Sequence, residues 1–128
     1  MDLKKIIIAL IIVLVIIVGV FSYITVNSHN TKIEVLSNST LKNGDFITIV
    51  LKDEYRNVYP NQVIDVKLLD DYGSSDKFTV ITDNDGEANV ELLGFDNGNY
   101  TIHSTFNGTL FLKESKDISS LEINDGYL

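Results

Sequence analysis

Ile6 to Val26, IIIALIIVLVIIVGVFSYITV, is an unbroken run of 21 residues without a charge. As a helix at ~1.5 Å per residue it reaches about 30 Å, the hydrocarbon thickness of a bilayer. Sixteen of these residues are Ile, Leu, Val or Phe. At roughly −0.3 to −0.6 kcal/mol each, they give a favourable insertion free energy of about −5 to −10 kcal/mol. The competing reading is a cleaved signal peptide, whose apolar core is usually about 7 to 15 residues long and ends at a small-x-small site. Here the run is longer and only Val20-Phe21-Ser22 resembles such a site, which favours an uncleaved anchor. A prepilin leader needs a processing site ahead of the apolar run and often a glutamate within it; neither occurs. Lys4 and Lys5 precede the segment and the next charge is Lys32. The positive-inside bias therefore places residues 1–5 in the cytoplasm, residues 6–26 in the membrane and the rest outside. Residues 27–31 make a short linker, at most ~18 Å long when extended, and residues 32–128 make one domain.

All the acidic residues except Asp2 lie beyond the apolar run, as do all the basic ones except Lys4 and Lys5, in a chain of net charge −8. An exterior part that acidic repels phosphate backbones, so a nucleic-acid partner is not expected. The chain has no cysteine, which removes disulfides and thiolate metal sites together. Stability must come from a packed core, which burial of ~60 to 65% of the surface in a domain of this size can supply.

Beyond residue 31 the pattern changes to short alternating stretches separated by Asn, Asp, Gly and Ser, the mark of antiparallel strands. The stretches are Lys32–Leu36, Phe46–Lys52, Val63–Leu69, Lys77–Thr82, Glu87–Leu92, Asn99–Phe106 and Thr109–Lys113, with Ser120–Ile123 as a last piece that completes an edge. In Val63–Leu69, Ile64, Val66 and Leu68 share one face while Asp65 and Lys67 share the other, so one face is core and the other is wet. Pro60 falls in a loop, where its missing N–H harms no ladder. Seven or eight strands with turn signals every 8 to 15 residues and no amphipathic helix predict an all-β, antiparallel sandwich.

Asp96, Gly98 and Tyr100 have the spacing D-x-G-x-Y at the start of a strand. In immunoglobulin-like sandwiches a tyrosine placed there returns its hydroxyl to upstream backbone and ties the crossing between the sheets. Ile102, two residues on, stands where antibody domains put a cysteine, and an apolar side chain there packs into the core.

Leu51 and Asp53 open the first long loop and Pro60 and Val63 close it; Thr82-Asp83 with Gly86 and Ala88, Gly98 with Tyr100, and Phe106 with Gly108 follow in order. With these residues, the stretch from about Asp45 to Ile123 resembles the immunoglobulin-like repeats of prokaryotic adhesin-like surface proteins, particularly those of methanogenic archaea. The resemblance implies an extracellular sandwich used for display, spacing or adhesion, without enzymatic activity. Members usually string many repeats into a stalk, whereas one repeat follows the apolar segment here. On so short a linker it is expected to work near the membrane.

The run Asp83-Asn84-Asp85-Gly86 resembles part of a D-x-D-x-D-G calcium loop. Aligned on Gly86, however, that loop puts Ile81 at its first aspartate and Leu92 at its bidentate glutamate. Asp83 and Asp85 are thus calcium candidates that lack the two most important ligands. A tight hairpin explains them better, since Asn84, Asp85 and Gly86 tolerate positive φ; no cofactor is expected. His29 and His103 have no partner that would make a zinc site, and no nucleophile motif of a hydrolase is present. Asn38, Asn99 and Asn107 begin N-x-S/T sequons and are candidate glycosylation sites. Tyr55, Val58 and Tyr59 either cover an open end of the core or form a contact patch for a protein or cell-envelope glycan. The expected function is a membrane-anchored surface module acting by adhesion, binding or structural support. The alternatives are an external capping subunit of a membrane complex and a carbohydrate-binding module.

Overall fold

The apolar run holds no proline and one interior glycine, Gly19, so nothing in it interrupts the hydrogen-bond ladder of a helix. A computed structural model describes residues 2–126, and among them the helix α1 spans Leu3–Asn27. Asp2 caps it, its carboxylate accepting from the Lys4 backbone N–H at 3.2 Å. At the other end Thr25, Asn27 and Ser28 turn their side chains back onto the carbonyls of Phe21, Tyr23 and Ile24 at 2.7–2.9 Å. Of these only the Ile24 carbonyl is among the last four that a helix end leaves open, and the Ser28 hydroxyl satisfies it. No residue of α1 is buried.

Eight strands follow among the described residues: β1 (Thr31–Val35), β2 (Thr40–Leu41), β3 (Phe46–Asp53), β4 (Val63–Asp70), β5 (Ser75–Ile81), β6 (Glu87–Glu91), β7 (Gly98–Phe106) and β8 (Ser115–Ile123). They form two sheets, ordered β1-β3-β6 and β2-β8-β7-β4-β5. All pairings are antiparallel except that of β2 with β8. Strands one, three and six facing eight, seven, four and five is the A-B-E against G-F-C-C′ arrangement of an immunoglobulin-type sandwich.

Period-two alternation supplies the core between the sheets. Ile47, Ile49 and Leu51 point inward from β3, Ile64, Val66 and Leu68 from β4, Ala88 and Val90 from β6, Ile102 and Phe106 from β7, and Leu121 and Ile123 from β8; all are buried. Each large aliphatic side chain among them contributes about 1.5–3 kcal/mol of transfer free energy.

Three expectations are corrected. Thr109–Lys113 is a loop, because the Thr109 N–H turns back to the Leu112 carbonyl at 2.8 Å and only Leu112 reaches the core. Ser120–Ile123 is the end of the nine-residue β8, which lies inside its sheet between β2 and β7 and completes no edge. Its outward Ile118 opposite His103 breaks the apolar alternation that marks the other strands. Asp83–Gly86 is no hairpin turn, since β5 pairs with β4 and β6 with β3. It carries the chain from one sheet to the other, and of its residues only Gly86 has positive φ.

The connections sort to two ends. Residues 54–62, 82–86 and 107–114 share one end with the close of α1; residues 36–45, 71–74 and 92–97 share the other.

Candidate functional site: the loops at the helix end

Asp53, the last residue of β3, alternates inward with Leu51 and is only 3% exposed. A carboxylate so placed needs partners. It accepts from the Tyr59 hydroxyl at 2.6 Å, the Asn57 amide at 3.1 Å, and the backbone N–H groups of Tyr55 and Asn57 at 2.8 and 2.9 Å. Burial alone would raise its pKa; the bonds from Tyr59, Asn57 and the backbone outweigh that and hold it at about 2. Burial, joined by the hydrogen bond to Asp53, pushes the Tyr59 hydroxyl up to about 12.

Thr82 ties down the far side of the same loop. Its hydroxyl donates to the Tyr59 carbonyl at 2.6 Å and accepts from the Gln62 N–H at 2.9 Å. Gly86 lies beneath, with φ +72°, where an added Cβ would stand 2.7 Å from the Val58 Cβ and 3.0 Å from the Tyr59 nitrogen. Asp83 folds the turn itself, one carboxylate oxygen accepting from the N–H groups of Asp85 and Glu87 at 2.9 and 3.0 Å. Loop 54–62 is therefore held from both sides, leaving Tyr55 and Val58 exposed at its tip while Tyr59 packs against the core.

Because the depressed Asp53 pKa reflects preference of the folded state for the carboxylate, its stabilisation is full above the ordinary value of 3.8 and fades as pH falls toward about 2. Asp53→Asn is expected to melt lower than the parent at neutral pH, with the gap closing between roughly pH 4 and pH 2. Thermal unfolding of both proteins across that range checks it; a gap independent of pH overturns it.

The 27–31 stretch is sewn into the same end. The His29 N–H donates to the Phe111 carbonyl at 2.8 Å, and the Lys113 N–H donates to the His29 carbonyl at 2.9 Å. Thr31 adds a hydroxyl bond to the Lys113 carbonyl at 2.6 Å. Tyr23, inside α1, meets the Phe111 ring edge to face at 6.1 Å, and His29 meets Tyr55 likewise at 6.5 Å.

The other sequence candidates lie apart. The Tyr100 hydroxyl donates to the Asp96 carbonyl at 2.7 Å across the link from β6 to β7, at the end remote from α1. Asn38 and Asn99 are exposed toward that remote end, whereas Asn107 is exposed in the loop beside α1. Asp83 and Asp85 are exposed, and among the described residues no three His, Asp or Glu side chains converge on one point. The structural work of Asp53 and Thr82 was visible only in the ordered motif that contains them, because neither residue type announces burial.

No protein-family model matches the sequence, and no curated protein does. Among solved structures, the chain is similar to a tetra-tandem repeat from the extending region of a large adhesion protein, with 13% identity and a TM-score of 0.51. The match covers 76% of this chain and 24% of the solved one, so this chain spans about a quarter of that structure. At that identity the likeness is one of fold: a β-sandwich of the kind an adhesion protein repeats in tandem.

Proposed function

We propose that this protein is a membrane-anchored surface module without enzymatic activity, which holds one immunoglobulin-like sandwich outside the cell for adhesion, binding or structural support. The observation that carries the reading is the joint between α1 and the sandwich. An apolar helix with no buried residue runs directly into residues 28–31, which are hydrogen-bonded to the loop after β7. Lys4 and Lys5 put the N-terminus in the cytoplasm. The fold likeness to an adhesion-protein repeat agrees with a display role. In this orientation Tyr55 and Val58 face the membrane end. A protein or glycan partner would approach the remote end, where Leu36, Tyr72 and Leu93 are exposed.

Protease treatment of intact cells tests the reading. The sandwich is expected to be removed while a fragment holding α1 stays with the membrane. Full protection in intact cells, with digestion only after permeabilisation, overturns the orientation.

A further inference from the structure

Exposed apolar side chains gather where the loops meet the helix. Leu110 is 62% and Phe111 39% exposed in the loop after β7, although Leu112 beside them is buried. Their height along α1 is set by contacts on both sides: Phe111 packs on Tyr23, and the Leu110 carbonyl lies 3.5 Å from the Ser28 hydroxyl. Tyr23 sits three residues inside the end of the apolar run, about 5 Å along the helix axis. If α1 spans a bilayer, that is the depth of the boundary between headgroups and acyl chains, where tyrosine is enriched.

We propose that Leu110 and Phe111 enter this boundary and that Tyr55, 71% exposed across the joint, rests beside them. The sandwich thus has a second contact with the same bilayer and stands on it in one fixed orientation. The inference rests on the anchor reading above. Charge does not drive the contact, because Arg56 and Lys113 at this end are offset by Glu54 and Glu114, and Asp83 and Asp85 leave it net acidic. Apolar burial does, in the manner of interfacial segments. Lipid is the occupant because Phe111 packs directly on Tyr23 within the apolar run of α1, so the exposed pair adjoins the helix's apolar surface.

The chain has no cysteine, so single cysteines can carry an environment-sensitive fluorophore. Full-length L110C, L93C and V13C are labelled and reconstituted into phosphatidylcholine vesicles containing nitroxide lipids, shallow for residues 110 and 93 and deep for residue 13. Residue 93 is exposed at the remote end and reports the bulk-water baseline. Quenching at residue 110 at least about threefold stronger than at residue 93, with residue 13 quenched as well, is the expected result. Quenching at 13 with residue 110 behaving like residue 93 overturns the interfacial contact and leaves the anchor intact. A blue shift at 110 without lipid quenching means that a second copy or other protein covers it, and also overturns the proposal. No quenching at 13 overturns the anchor and the contact together.

Discussion

Lysines at Val13 and Ile17 together are expected to release the chain from membranes into the alkaline-extractable fraction. Each substitution exchanges a residue worth roughly −0.3 to −0.6 kcal/mol for one costing roughly +2.5 to +3.5 kcal/mol at the helix centre. The pair therefore costs about 6–8 kcal/mol, the size of the whole insertion free energy available to Ile6–Val26. The sandwich should not notice, because no residue of α1 is buried against it. Two readouts separate the effects: carbonate extraction follows partition, and thermal unfolding follows the domain. Retention of V13K/I17K in the membrane pellet would contradict the anchor. A fall in the domain's melting temperature would mean that α1 packs on the sandwich through this region.

Gly86→Ala is expected to be, with Gly108→Ala, among the most damaging glycine-to-alanine changes in the domain. At φ +72° an alanine pays about 1–2 kcal/mol for the left-handed region. The new Cβ would also stand 2.7 Å from the Val58 Cβ, 3.0 Å from the Tyr59 nitrogen and 3.1 Å from the Leu51 carbonyl oxygen. Two of those three neighbours are backbone and cannot rotate away, so overpacking adds about 1–3 kcal/mol. Gly94→Ala is the internal control, with the same φ of 72° but nothing within 4 Å of the added Cβ. Urea unfolding should show G86A losing about 2–5 kcal/mol and G94A only about 1–2 kcal/mol. Equal losses would mean that backbone strain alone acts and that the Val58–Tyr59 loop yields freely.

The sandwich was readable because its core strands bury one face and wet the other. Ile64, Val66 and Leu68 against Asp65 and Lys67 announce both the strand and its inward side. The strand signal failed where that contrast failed. In β8, outward Ile118 and inward Ser119 spoil the alternation that Leu121 and Ile123 resume. In Thr109–Lys113, a run of three apolar residues reads as a strand but serves a loop, with Leu112 entering the core while Leu110 and Phe111 face away. The spacing of Asp96, Gly98 and Tyr100 picked out a hydroxyl-to-carbonyl bond that is present at 2.7 Å, since a corner of that kind is a local geometry set by nearby residues. Asp83 likewise folds its own turn through N–H groups two and four residues on.

Local pattern in this sequence determined what most segments become: an apolar helix of bilayer length, then short strands with one buried face. It did so because helix and strand periodicity are properties of neighbouring residues, and water sorts side chains by those periods. Tertiary structure alone decided which loops meet. Asp53, Tyr59, Thr82 and Gly86 come together through strands of different sheets. His29 and Phe111 meet across 82 residues of chain, and that meeting sets the height of Leu110 beside the helix. Such contacts depend on strand order and on the path of the chain between sheets, and so carry no period that a run of neighbouring residues could display.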